Sequence, residues 1–227
     1  MTTPGARPSA RSPGRSAPPD RRVAVLVVIF TVDDGRLQVL LVRRSAGPFR
    51  NAWSLPGGLL AAGESLEKAA ARKLEEETGV ADVFLEQLYT FSNLDGRGSI
   101  AVAYFALVDI SEALLAQRSE WLPAWFPVAD LPPLAFQNDE VIEYALQRLR
   151  AKLDYSNVAY SLLPEEFTLT QLQATYEAIL GRHLDKRNFR KRVTTLALLE
   201  ATGRHAGAGR GRPAQLYRFR ERHPVVF

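Results

Sequence analysis

The stretch between positions 58 and 80 is the part of the chain best equipped for chemistry. Gly58 is followed by Glu64, and after seven further residues come Arg72, Lys73, Leu74, Glu75, Glu76, Glu77, Thr78, Gly79 and Val80. Residues three and four apart are neighbours on a helix, so positions 73, 76 and 77 share one face and Arg72 lies beside Glu76. Carboxylates at all three positions would form a hard-oxygen site for magnesium, which typically bridges protein carboxylates to substrate phosphates. The chain has a lysine at the first, Lys73, which leaves Glu76 and Glu77 as the candidate metal ligands. Ser65 suits the N-cap of such a helix, and Gly79 falls where a helix-ending glycine belongs. Leu66, Ala70 and Leu74 make an apolar stripe that would face a core. A solvated acidic helix is the plainer reading of a Glu-rich run, but it leaves unexplained the fixed elements spread over 23 residues.

The pattern resembles the Nudix box, G-x5-E-x7-R-E-U-x-E-E-x-G-U with U apolar. Glu64, Arg72, Glu76 and Glu77 match it, and Lys73 stands where the family has the first glutamate of its R-E-U-x-E-E run. Trp53-Ser54-Leu55-Pro56-Gly57 resembles the family's entry into the box. The resemblance implies an α/β/α sandwich and a nucleotide-type ligand. In the family, position 73 is a metal ligand or supplies the base. A lysine there can pair with Glu76 and Glu77 and occupy the metal's place. Two unit charges about 4 Å apart at an effective dielectric of about 20 interact by roughly 4 kcal/mol, an upper bound for a side chain that can swing into solvent. One reading is a domain kept for binding, with no catalytic residue and with magnesium bound only if hydrolysis persists. The other is an active hydrolase that tolerates the swap.

Other elements must hold this box in place. The chain has 227 residues and 46% hydrophobic content, enough for one or two packed domains. It has no cysteine, which excludes disulfides and thiolate metal sites, and His183, His205 and His223 are too scattered for a zinc site. Charge is distributed unevenly. Residues 1–22 carry five arginines against one aspartate, residues 23–150 carry 11 basic against 17 acidic, and residues 151–227 carry 13 against 7. The first segment is rich in Pro, Ser, Gly and Arg and is expected to be a disordered basic tail. The apolar residues 23–32 could pass for a signal-peptide core, but they run into Asp33-Asp34-Gly35, a hairpin turn signal, with Leu37–Val42 as the partner strand. No segment has the length of a membrane span. A cytoplasmic protein is expected.

Residues 83–91 and 100–108 read as strands, and residues 140–150 as a helix with Val141, Ala145, Leu146 and Leu149 on its apolar face. The segment 85–91 with Arg97 and Ala103-Tyr104-Phe105 resembles the ADP-ribose-directed branch of Nudix proteins. Gln87, Tyr89 and Arg97 read equally well as sheet and loop residues. Related sequences tend to read Asp-His after Phe136, where this chain has Gln137-Asn138.

From about Tyr155 the pattern changes. Thr168 and Gln171 form a capping box for a helix with Leu169, Leu172, Tyr176, Ile179 and Leu180 on its apolar face and Gly181 as its stop. Asp185 caps a second helix, from Lys186 to about Glu200, with Phe189, Val193, Leu196 and Leu199 on one stripe. A glycine-studded loop, residues 202–213, leads into a strand at 215–219. Helix, turn, basic helix and glycine-arginine hairpin is the order of a winged helix-turn-helix. Lys186, Arg187, Arg190 and Lys191 would grip phosphate or guanine, and Asn188 could read a base. Arg210-Gly211-Arg212-Pro213 resembles the core of an AT-hook, with Arg210 and Arg212 following the minor groove. A solvated basic face and a flexible loop are the plainer readings of each piece alone. Together, beside a capped first helix, the two features point to DNA.

The combination resembles the Nudix-related transcriptional regulators of NAD metabolism (NrtR type), over about residues 23–220. The resemblance implies an α+β chain of three parts: the tail 1–22, a Nudix effector domain 23–152, and a smaller winged helix-turn-helix domain 153–227. It further implies a homodimeric repressor of NAD synthesis or salvage genes that binds double-stranded operator DNA and is released by ADP-ribose or a related nucleotide. No cofactor is required, and Arg43, Arg44 and Arg97 are the diphosphate candidates, unless one of the first two caps the end of its hairpin. The alternative is an ADP-ribose pyrophosphatase with a basic tail, which would need metal-dependent turnover. A third reading, an interaction module, would show no nucleotide affinity.

Overall fold

The computed structural model describes residues 23–45, 47–79, 81, 84–96, 98–113, 115, 121–207 and 213–227. Strand β1 (Val23–Asp33) turns through Asp34 (φ 47°) and Gly35 (φ 69°) into β2 (Arg36–Arg44). Two successive left-handed residues match the right-handed twist of paired strands, which is why an Asp-Gly turn suits this hairpin. Short strands β3 (Trp53–Ser54) and β4 (Gly57–Leu59) lead into helix α1 (Leu66–Thr78). Then come β5 (Phe84–Ser92), β6 (Ile100–Leu107), β7 (Trp121–Pro127) and α2 (Asn138–Tyr155).

These seven strands form one sheet in the order β3-β2-β1-β6-β5, with β4 on β1 and β7 on β2. Only β1 and β6 run parallel among the described pairs. Side chains alternate across a strand, and both faces of β1 are covered, so its sequence is unbroken apolar from Val23 to Phe30. Val25, Val27 and Ile29 pack with Ala69, Ala70 and Leu74 of α1. Val28 and Phe30 pack on the other face with Val141, Ala145 and Leu149 of α2. The result is the α/β/α sandwich expected of the Nudix fold.

A 3-10 turn (Val158–Leu162) follows α2, then β8 (Phe167–Thr168), α3 (Leu169–Leu180), α4 (Lys186–Thr195), β9 (Leu199–His205) and β10 (Gln215–Phe219). The three strands pair in the order β8-β10-β9. The capping box at Thr168 and Gln171 is present, and Gly181 ends α3 at φ 67°. Two expectations are corrected here. Helix α4 stops at Thr195, not near Glu200. Leu196 caps it and Ala197 takes φ 51°, so the apolar spacing carried on to Leu199 belongs to the start of β9. The loop expected from Thr202 is strand as far as His205, with Gly203 at φ 76° accommodating the bend.

One apolar cluster runs from the sandwich into the second unit. It includes Leu149 and Leu153 of α2, the buried turn residues Val158, Ala159 and Leu162, and Phe167, Leu172, Tyr176, Phe189 and Phe219. Fully burying one such side chain is worth about 1.5–3 kcal/mol, so a shared core of this size resists separation of the two units. No helix among the described residues is long and apolar enough to cross a membrane.

Candidate functional site

Helix α1 is built as its sequence requires. The Ser65 hydroxyl accepts from the Lys68 N–H, and Gly79 at φ 69° donates its N–H to the Glu75 carbonyl. The helix brings Glu64, Arg72, Lys73 and Glu76 into one network. Arg72 forks onto Glu64, with Nε to Oε1 at 2.8 Å and a second nitrogen to Oε2 at 3.0 Å, and reaches Glu76 Oε1 at 3.1 Å. Lys73 Nζ lies 2.6 Å from Glu76 Oε2, with its stem over Gly58, where a Cβ would meet Lys73 Cε at 3.3 Å. Glu77 is buried at 8% exposure.

The electrostatics follow from this pairing. Hydrogen bonds from Arg72 hold the Glu64 carboxyl below the usual range. Burial pushes Glu76 up, but hydrogen bonds from Lys73 and Arg72 more than offset that and leave it lowered. The Arg72 guanidinium is raised by its bonds to both carboxylates. Both Glu76 oxygens therefore already accept from cations. A magnesium ion requires near-octahedral oxygen ligands at about 2.0–2.1 Å; with both Glu76 oxygens held by Arg72 and Lys73, the box as built does not fit the metal. Among the described residues no group of three or more His, Asp or Glu is arranged to hold one.

Arg43 and Arg44 sit at the end of β2 and engage Asn51 and Pro48 beyond it. Arg43 Nε approaches the Asn51 carbonyl at 3.4 Å, and Arg44 Nε donates to the Pro48 carbonyl at 3.1 Å. The Arg44 guanidinium also stacks over Phe136, 4.6 Å from the ring centroid, and burial lowers its pKa. Phe136 meets Phe49 edge-on at 4.9 Å. Arg97 lies outside the described residues, as does the basic tail 1–22.

Sequence reasoning missed the link between this region and α2. Phe136 and Gln137 both take left-handed backbone, φ 57° and 52°, each costing on the order of 1–3 kcal/mol in a non-glycine residue. The bend aims Asn138 inward at 1% exposure, where its Oδ1 accepts the Leu55 N–H at 2.8 Å. The role left open for Gln137-Asn138 is thus structural: Asn138 ties the entry to the box to the start of α2. The signal available in sequence was a polar residue ahead of an apolar helix, which reads as a cap.

At the other end of the molecule, α4 buries Phe189 and Val193, with Phe189 edge-on to Tyr176 at 5.2 Å. Asp185 caps it by accepting the Asn188 N–H at 2.8 Å. The turn before it is clamped by Glu177, whose carboxylate accepts the Leu184 N–H at 2.8 Å. Lys186, Arg187, Asn188, Arg190 and Lys191 are all exposed. Arg192, also exposed, pairs instead with Asp154 at 3.3 Å. Arg210 and Arg212 lie outside the described residues, between β9 and β10. The three histidines are exposed.

Helix, turn, helix and two-stranded wing on one side, and a boxed α/β/α sandwich on the other, define a Nudix domain joined to a winged helix. Family comparison gives the same division: residues 20–145 match the Nudix domain and residues 159–219 match the NrtR DNA-binding winged helix domain. The chain belongs to the NrtR family. It is 40% identical over 210 residues to the ADPR responsive transcriptional repressor NtrR of Acinetobacter baylyi, covering 88% of this chain and 83% of that one. The crystal structure of Shewanella oneidensis NrtR complexed with a 27mer DNA superposes with a TM-score of 0.78 at 40% identity, over 87% of this chain and 93% of that one. The Nudix domain of the same Shewanella protein, complexed with ADP ribose, has a TM-score of 0.51 at 41% identity, over 56% of this chain and 87% of that one.

Proposed function

We propose that this chain is an ADP-ribose-responsive transcriptional repressor of NAD synthesis or salvage genes, acting as a cytoplasmic homodimer on a two-fold operator. The observation that carries the reading is the contrast in one molecule between an exposed basic helix α4 and a box whose Arg72 and Lys73 are both paired with its own carboxylates. Lys186, Arg187, Arg190 and Lys191 contact DNA from α4, Asn188 reads a base edge, and Arg210 and Arg212 reach the minor groove from the wing. Residues 23–152 bind the nucleotide and residues 153–227 bind DNA. Arg43, Arg44 and Arg97 take the diphosphate, and no metal is needed for binding. Hydrolysis is at most slow, because Lys73 occupies the metal's position.

The test is selection of duplexes from a random pool by the full chain, followed by titration of the selected duplex with and without ADP-ribose. Enrichment of a near-palindrome with half-sites about one or two helical turns apart, released by ADP-ribose, is the expected result. A pool with no enriched sequence contradicts the DNA assignment, and release by neither ADP-ribose nor another NAD-derived nucleotide contradicts the sensor assignment.

A further inference from the structure

Helix α2 belongs to both halves of the molecule. Its leading end is fastened to the approach to the box. The Ala135 N–H donates to the Trp53 carbonyl at 2.8 Å, Asn138 accepts from Leu55, and Phe136 lies under the Arg44 guanidinium. Its trailing half is gripped by the winged helix. Arg150 Nε donates at 2.9 Å to the carbonyl of Ile179, in the last turn of α3, where a cation also suits the negative end of the helix dipole. Arg192 reaches back from α4 to the carbonyls of Leu153 and Asp154, at 3.4 and 3.2 Å, and to the Asp154 carboxylate. Just beyond, Asn157 Nδ2 donates to the carbonyls of Glu221 and His223, both at 3.0 Å. At 18 residues, α2 is a rigid element about 27 Å long.

Helix α3 also packs on the sandwich, its Leu172 and Ile179 sharing the apolar cluster of Leu37 and Val39. Beside that contact, next to the β1–β2 turn and the end of β7, lies an open cleft of about 490 Å³ lined by Arg36, Val128, Leu146, Ala178, Arg182 and Arg150 itself. So α3 and α4 are tied to α2 by arginines, and one edge of α3 borders an open cleft.

We propose that Arg150 and Arg192 are positioning residues for effector release, making α2 the rod that passes a change at Arg44 and Phe136 to the reading helix. A diphosphate drawn to the edge of the Arg44 guanidinium pulls on the group whose face stacks on Phe136, two residues before the first turn of α2. Motion of that end carries Ile179 and α4 along through the two arginines, and the cleft leaves one edge of α3 unpacked. This rests on the effector–DNA linkage proposed above.

The test uses the full chain and the selected duplex. DNA affinity is measured at zero and saturating ADP-ribose for the parent, Arg150→Met, Arg150→Lys and Arg192→Met. Substituting a residue that carries coupling modulates linkage by about 2- to 30-fold, so both Met variants should show a coupling factor reduced by that amount. Arg150→Met should keep its ADP-ribose affinity without DNA, which a merely destabilised protein would not. Arg150→Lys, which retains a donor, should restore part of the coupling. Arg192→Met carries the same expectation from the α4 side, so the test stands if one variant fails to fold. Parent-like coupling in the folded Met variants overturns the inference and leaves the linkage intact. Absence of coupling in the parent overturns the linkage itself, and the inference with it.

Discussion

Helices α1 and α4 both carry dense cations, and they use them in opposite ways. In α1, Arg72 and Lys73 are consumed by Glu64 and Glu76 within the same box. In α4, Lys186, Arg187, Arg190 and Lys191 are exposed, and Arg192 pairs with Asp154. The lesson is that charge alone does not mark a polyanion site. What marks it is cationic charge left without a carboxylate partner on a face that buried side chains hold in place.

The largest effect expected from this contrast is on DNA. Replacing Lys186, Arg187, Arg190 and Lys191 together by Gln should flatten the dependence of log affinity on log salt by about 0.9 for each phosphate no longer neutralised. The melting temperature should stay close to the parent's, since these side chains support no internal ion pair among the described residues. A parent-like salt slope would break the comparison on the α4 side.

The α1 side is broken by removing its blocking cation. Lys73→Glu should raise magnesium-dependent ADP-ribose hydrolysis at least about 10-fold, the scale on which changes around metal ligands act. Unchanged turnover, or parent turnover already in the ordinary range of about 1–1000 per second, would show that Lys73 does not close the site.

Next in size is a pH effect on the support beneath α4. Burial pushes the Tyr176 hydroxyl up to about 12. A folded-state pKa above the ordinary value near 10 contributes stability that is present below pH 10 and lost as pH rises through about 12. Thermal melts across that window should therefore fall more steeply for the parent than for Tyr176→Phe, which keeps the ring and cannot ionise; parallel curves would remove Tyr176 from the account. The smallest effect concerns caps. Thr168 and Gln171 exchange hydrogen bonds in both directions, at 3.2 and 2.8 Å, whereas Ser65 accepts one at 3.3 Å. Thr168→Ala should cost about 0.5–2 kcal/mol, more than Ser65→Ala, as read from denaturant midpoints.

What could be read in sequence was whatever is local. The spacing of Glu64, Arg72, Lys73 and Glu76, the turn at Asp34 and Gly35, and the caps at Ser65, Thr168 and Asp185 all act within about eight residues, and each was legible. The end of α4 was not, because no glycine or proline marks it and Ala197 takes the left-handed turn while the apolar spacing continues. Asn138 and Arg150 were silent for another reason: their partners, Leu55 and Ile179, lie 83 and 29 residues away, and no pattern along the chain pairs them.

The central claim is that one chain binds ADP-ribose and DNA as opposing ligands. Linkage is reciprocal, with coupling typically of about 1–3 kcal/mol, or roughly 5- to 150-fold. Calorimetric titration of ADP-ribose into the full chain, free and saturated with the selected duplex, tests it most directly. The account predicts weaker ADP-ribose binding in the DNA complex, by the same factor by which ADP-ribose weakens DNA binding. Equal ADP-ribose affinities in the two titrations would contradict it.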